Sequence, residues 1–324
     1  MKYIKTILLG GLMSIFIMGM LGCSSPNSTN SNQNQNEQTI QKNDDNKNYP
    51  RTIKHVKGET IIQKSPENAA ALGFEDDLLS LKIEPKMIAS YAGVGSLPYI
   101  SERAQKAKVI EFSKGFNLEQ LMSANPDYII IPHHFVNQYE QLNKIAPTIV
   151  IDSTNWKDAF MKVAEIYAAE DKAKAMITAI EKASLEVKSI ADKKYSGKKF
   201  MMVRVQKDNQ FLTYGSGGEK DHDLSKLLYK ELGLTPPTKL PAERFHQITL
   251  EGLSTFEVDH LFVINDYEPV VFEEIKKSTV WNNLNAVKSN QILVNGEWIG
   301  QSSGPLGKSL IIQDVKSYLE GKSN

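Results

Sequence analysis

The chain has 324 residues, 41% hydrophobic and 23% charged, which is enough material for two domain cores. Its 38 basic and 38 acidic groups cancel, so there is no basic field to recruit nucleic acid. A single cysteine excludes an internal disulfide framework and a multi-thiolate zinc site.

Lys2 and Lys5 precede an apolar run from Ile7 to Leu21 that ends at Gly22. A basic start, a short apolar core and a small closing residue predict a secretory signal peptide over 1–22, too short for a spanning helix. Its removal takes away Lys2 and Lys5 and leaves 36 basic against 38 acidic groups, or −2. Met20-Leu21-Gly22-Cys23 resembles the bacterial lipobox, in which cleavage precedes the cysteine and lipid is attached to it. That motif would use the one cysteine, against the alternative of a plain secreted protein with a free thiol. From Ser24 to Asn48 there is nothing to bury except Ile40, so residues 23–48 read as a lipidated cysteine and a disordered tether. As a flexible coil it would reach roughly 25–30 Å from a membrane.

A first α/β lobe is expected over 49–169. Thr52–Val56 and Thr60–Gln63 read as a hairpin around Gly58, followed by a helical pattern from Glu67 to Lys82. Strands are expected at Met87–Tyr91, Lys108–Phe112, Tyr128–Ile131 and Thr148–Asp152, with helices at Asn117–Ala124 and Phe135–Ala146. That alternation predicts a mainly parallel sheet covered on both faces. Ligands gather at the carboxyl ends of such strands. Here those ends carry Tyr91, then Phe112 and Lys114, then His133 and His134.

Glu170–Lys194 holds no Gly or Pro, and Met176, Ile180, Ala183, Val187, Ile190 and Ala191 recur at steps of three or four. It predicts one long helix with an apolar stripe, and a Lys182–Glu186 pair on another side. A second lobe is expected over 195–324. Its strands are Lys198–Lys207, Phe211–Tyr214, His260–Asn265 and Gln291–Asn295. Its helices are Asp221–Leu234, Pro269–Ser278 and Leu306–Gly321. Two segments match across the lobes: Asn117-Leu118-Glu119 leading to Asp127 and an apolar strand, and Thr249-Leu250-Glu251 leading to Asp259 and another. Asn117 and Thr249 are plausible N-caps, and a first-turn Glu suits the helix dipole. Recurrence in both lobes favours a paired role for Glu119 and Glu251.

Over about residues 50–322 the chain resembles the solute-binding lipoproteins of iron-siderophore ABC importers, a family that includes cobalamin and haem binders. The features that carry the resemblance begin with the paired LEQL…NPDYIII and LEGL…VDHLFVI segments and the long helix. They continue with the strand bearing Arg204, the Tyr214-Gly215 turn, Trp281–Val294, and Trp298 before SSGPLG. The resemblance implies an α/β fold of two mainly parallel-sheet lobes joined by a single long rigid helix, with a ligand cleft between them. It implies a monomer on the extracytoplasmic face of the cell membrane, tethered through lipid on Cys23. Its partners would be ABC transporter permease subunits, docked through Glu119 and Glu251. No cofactor is implied; the ligand is a ferric siderophore complex.

Within that cleft Arg204 is the first candidate, because a fixed guanidinium forks onto carboxylate, catecholate or hydroxamate oxygens. Its alternative is a structural salt bridge. Trp298 and Tyr214 would supply rigid apolar walls, or else belong to the core. Tyr91, Phe112, Lys114, His133 and His134 follow from loop position. Beyond the tether there are four arginines, Arg51, Arg103, Arg204 and Arg244, and the first two do not point clearly to a cleft. So few favour a neutral or weakly charged ferric hydroxamate over catecholate or citrate-type chelates. A haem binder would need an axial His or Met, for which His133, His134 and Met87 are available. Enzymatic chemistry is not expected. The Gly300-Gln301-Ser302-Ser303-Gly304 match lacks a strand running into it and the Asp and His that should follow. Adjacent histidines rarely point at one ion, which disfavours a dedicated metal site.

Overall fold

The computed structural model describes residues 48–91, 95–218, 220–241, 243–266 and 268–322. The signal peptide, Cys23 and the tether up to residue 47 lie outside the described residues, as do residues 92–94 after Tyr91.

In the first half, β1 (Arg51–His55) and β2 (Gly58–Ile62) form the expected antiparallel hairpin. It turns at Gly58, whose φ of +127° only glycine adopts without strain. β3 (Ala70–Ala71), β4 (Met87–Tyr91), β5 (Lys108–Phe112), β6 (Ile129–Pro132) and β7 (Thr148–Ile151) follow. β6 and β7 read IIIP and TIVI and are buried at every position, as strands covered on both faces must be. β3, β6 and β7 pair in parallel, and so do β4 and β5, with Tyr91 opposite Phe112.

In the second half, β8 (Phe200–Val205), β9 (Gln210–Tyr214), β10 (Phe245–Thr249), β11 (His260–Ile264) and β12 (Ile292–Asn295) make one sheet in the order β10-β9-β8-β11-β12. β8, β11 and β12 run parallel, but β9 and β10 pair antiparallel, so this sheet is mixed rather than mainly parallel. The cause is local. Asp208 and Asn209, each at φ +57°, form the left-handed two-residue turn that closes a hairpin, whereas parallel neighbours need a long crossover. Along β8 the side chains alternate, Phe200 and Met202 entering one core and Met201, Val203 and Val205 another. Among the described residues no strand is shared between the sheets of the two halves.

The helix Glu170–Lys194 forms over the expected 25 residues, acidic in its first turn and basic in its last, as its dipole favours. Ala173 packs into the first-half core, Ile180, Val187 and Ala191 into the second, and Met176 touches both. Glu186 pairs with Lys316 at 2.8 Å instead of Lys182, because the closing helix Pro305–Leu319 packs alongside.

That closing helix also joins the halves. Ile311, Ile312, Val315 and Leu319 belong to the second-half core, while Leu306 and Leu310 pack on Ile88, Tyr99 and Ile100 of the first. Asp76, on the short helix Glu75–Ser80, accepts the backbone N–H of Leu306 at 2.7 Å and of Gly307 at 2.8 Å. The Tyr99 hydroxyl donates to the same carboxylate at 2.9 Å. Lys308, 1% exposed, lies with its ammonium 5.4 Å from the centroid of the Trp156 ring, and burial lowers its pKa. The described residues therefore cluster as one compact unit, with more than one helix spanning its halves.

Several local expectations are corrected. Ala70 and Ala71 join the sheet, so the helix expected from Glu67 shrinks to Glu75–Ser80. Phe135–Ala146 is a 3₁₀ helix, His133–Gln138, followed by one turn at Tyr139–Leu142. Asp221–Leu234 becomes Asp223–Ser225 and a π-helical Lys226–Glu231. A helix at Trp156–Ile166, with Asn155 as its N-cap, had no counterpart in the sequence reading.

Candidate functional site

The strand ends of the first half present an aromatic wall. Tyr91 and Phe112 close β4 and β5 side by side, with ring centroids 5.5 Å apart. Phe112 meets Phe116 at 5.0 Å and Phe135 at 4.9 Å, and His134 lies 4.1 Å from Phe135. Tyr91, Phe112 and Phe135 are half-buried, so each is fixed by its neighbours yet keeps a face open. Behind them the Glu75 carboxylate accepts the N–H of Ala89 and of Gly73, both at 2.8 Å, holding β4 in place. Burial pushes Glu75 up to about 7 and, with the Glu75 charge, raises the Tyr91 phenol too.

His133 accepts the Ser153 N–H on Nδ1 at 3.1 Å. The His133 and His134 rings stand at 85° to each other, an arrangement that does not aim both at one ion. Among the described residues no group of three or more His, Cys, Asp and Glu is placed to hold a metal ion. Lys114 is exposed beyond β5. Met87 is 1% exposed and does not face a cleft, because it lies in the first-half core.

In the second half Arg204 stands at the carboxyl end of β8, as expected. Its Nε and Nη2 donate to the two carboxylate oxygens of Asp266 at 2.8 and 2.6 Å, a side-on fork. Asp266 follows β11, the parallel neighbour of β8, so two strand ends bring the pair together. Their side chains are 14% and 16% exposed. His222 lies within electrostatic reach of both Arg204 and Arg244, and beside Phe245. Phe245 is 46% exposed, and the Arg244 guanidinium lies 5.1 Å from its ring centroid. The His222 ring is 5.1 Å from Tyr214 and 6.1 Å from Phe245. Burial drives His222 down to about 4, and Arg244, Lys308 and Arg204 push the same way against Asp223. His222 is therefore neutral near pH 7, with Nδ1 accepting the Leu224 N–H at 3.2 Å.

Two expected wall residues are core instead. Trp298 is 1% exposed, donates Nε1–H to Asp314 at 2.9 Å and meets Phe262 edge-on at 5.4 Å. Its place one turn ahead of the closing helix turns the ring inward. Tyr214 is 2% exposed, because the end of β9 is covered by His222 and Phe245. Among the described residues the accessible aromatic here is Phe245, and the counter-charge of Arg204 is Asp266. The sequence reading had neither. An acidic residue just past the apolar strand β11, two positions beyond Ile264, which pairs with Arg204, was the available signal for Asp266.

Glu119 and Glu251 are both exposed, and among the described residues neither makes an ion pair. Asn117 and Thr249 cap their helices, Asn117 accepting the N–H of Glu119 and Gln120 at 3.1 Å and Thr249 that of Gly252 at 3.0 Å. The repeat extends to the aspartates. Asp127 accepts the N–H of Glu67 and Asn68 ahead of β3, and Asp259 accepts that of Lys199 ahead of β8. A cavity of about 280 Å³ lies near the second cap, lined by Leu253, Phe256, Val258, Val280 and Leu284, at the entry end of β11 rather than its carboxyl end.

Residues 70–297 match the family model described as periplasmic binding protein, which is more than half of the chain. The chain belongs to this family. It is 25% identical over 308 residues to the iron(3+)-hydroxamate-binding protein YxeB of Bacillus subtilis, covering 90% of this chain and 89% of that protein. It is also 25% identical over 333 residues to the probable siderophore-binding lipoprotein YfiY of the same organism, covering 95% and 97%. Among solved structures, the triscatecholate siderophore binding protein FeuA of Bacillus subtilis, complexed with ferri-bacillibactin, superimposes with a TM-score of 0.69. That match has 22% identity and covers 84% of this chain and 98% of that one. The fold of this family member is therefore mixed α/β with one long helix, as the sequence predicted, its sheets parallel in the first half beyond the β1–β2 hairpin and mixed in the second.

Proposed function

We propose that this protein is the extracytoplasmic solute-binding lipoprotein of an ABC importer, capturing a ferric siderophore and delivering it to a membrane permease. The lobes would be 49–169 and 195–324, with 170–194 as the rigid link and Cys23 as the lipid-bearing residue. The reading is supported by a strand-end surface suited to a chelate in each half: the Tyr91–Phe112–Phe135 wall in one, and Arg204, Arg244 and Phe245 in the other. Flat aromatic faces suit the apolar rim of an iron chelate, and guanidinium groups suit its oxygen-rich metal centre. No side chain needs to touch the iron, because a siderophore already fills its coordination sphere.

A ferric hydroxamate is the favoured cargo. Arg51 is committed to Glu170 at 2.7 Å and Arg103 to the Tyr99 carbonyl at 2.7 Å, which removes two of the four arginines from ligand binding. The similarity to a hydroxamate binder agrees with this choice, and the likeness to a triscatecholate binder keeps the catecholate class as the second arm of the test. Calorimetric titration of the purified protein with a ferric trihydroxamate, a ferric triscatecholate, ferric citrate and haem separates the classes. The expected result is one-to-one, tightest binding of the trihydroxamate. A protein that binds none of the ferric chelates, or that binds haem with a Soret band, rejects the reading.

A further inference from the structure

We infer that Asp266 sets the charge class of the chelate by cancelling Arg204. This rests on the reading above, in which the ends of β8 and β11 face the cargo. A guanidinium at a strand end would by itself favour an anionic ligand. Here its Nε edge is occupied by a carboxylate with two hydrogen bonds, at 2.8 and 2.6 Å, and both side chains are mostly buried. The pair presents a dipole with no net charge. His222 beside it is neutral near pH 7, held down by burial, so it adds no cation. Among the described residues the other cations acting on His222 are Arg244, which is exposed with its guanidinium over Phe245, and the buried Lys308.

Three hydroxamates, each losing one proton, neutralise a ferric ion, whereas three doubly ionised catecholates leave the complex with three negative charges. A trianion approaching the pair meets the Asp266 carboxylate and must leave the Arg204 charge shared. A neutral complex meets complementary dipoles without that repulsion. Like-charge juxtaposition of this kind is how a site rejects a competitor it has the shape to accept.

The test compares dissociation constants for a ferric trihydroxamate and a ferric triscatecholate in wild type, Asp266→Asn, Asp266→Glu and Arg204→Gln, each checked for folding by its thermal melt. Asp266→Asn is expected to move the ratio of the two constants at least tenfold toward the catecholate, and Asp266→Glu to restore the wild-type ratio. Arg204→Gln should weaken the catecholate more than the hydroxamate. If Arg204→Gln changes affinity but Asp266→Asn leaves the ratio where it was, the role of Asp266 is overturned while the site stands. If neither folded variant alters either constant, Arg204 lies outside the site, and this inference falls while the ferric-chelate reading stands.

Discussion

The carboxylate of Asp76 accepts the backbone N–H of Gly307 at 2.8 Å across 231 positions of sequence, capping from the first half a helix whose body belongs to the second. The first turn of Pro305–Leu319 has no cap from its own neighbourhood, since Gly304 offers no side chain. A Cβ on Gly304 would come within 2.2 Å of the Asp76 carboxylate carbon, so the glycine is what lets the acid approach.

Asp76→Ala should therefore cost about 2–4 kcal/mol, the loss of a cap plus buried amides left unsatisfied. Gly304→Ala should act in the same direction by displacing the same carboxylate. Urea unfolding at constant pH measures both. A loss below about 0.5 kcal/mol for Asp76→Ala would show that the cap contributes no more than an ordinary surface contact.

Glu75 makes a pH prediction whose sign is fixed. Burial raises its pKa from 4.5 to about 7, so between those values the folded state binds the proton that the unfolded state has released. Its contribution to stability is complete below about 4.5 and is lost as pH rises through 7. His222 works oppositely, since its pKa falls from 6.5 to about 4 and stability rises with pH across that window. Burial raises the neighbouring Asp76 and Asp77 as well, so the informative quantity is a difference. Glu75→Gln should remove a decline of up to about 3 kcal/mol between pH 4.5 and 8, seen as a gap from wild type that changes with pH. A constant gap across that range would mean Glu75 ionises normally.

Trp298→Phe should separate packing from binding. The indole N–H loses Asp314, and the smaller ring leaves space beside Phe262, so stability should fall by about 1–3 kcal/mol. Affinity for the ferric chelate should stay within about twofold, because the ring has no open face. A large drop in affinity in a folded variant would return Trp298 to the ligand wall.

Glu119→Ala combined with Glu251→Ala should abolish uptake of labelled ferric siderophore by cells while the purified protein binds it as before. Both side chains are exposed, and their helices keep their Asn117 and Thr249 caps, so stability should change by less than about 1 kcal/mol. Normal transport by the double variant would remove the docking assignment.

What could be read from the sequence followed the elements whose pattern is decided locally. Glu170–Lys194 was legible to the residue because no Gly or Pro interrupts it and its stripe keeps helical period. The paired Asn117 and Thr249 segments were legible because a cap, a first-turn acid and an apolar strand recur in order. The segments misread were those whose conformation is imposed from a distance. Ala70 and Ala71 are good helix formers, yet β6 recruits them into its sheet. Trp298 was expected at the ligand from its place before SSGPLG in the family pattern, with the core as its alternative, and Asp314 draws its N–H into the core. Arg204 was placed at the right strand end, and its partner was hidden because Asp266 is 62 residues away.

The wedge formed by Leu306 and Leu310 bears on the order in which the chain matures. Ribosomes deliver the amino end first, yet Ile88, Tyr99 and Ile100 are covered by residues made much later. Until those arrive, the early sheets carry a bare apolar flank and an acid with nothing to cap. Clipping the helix Pro305–Leu319 should therefore uncover the front of the molecule as surely as the back.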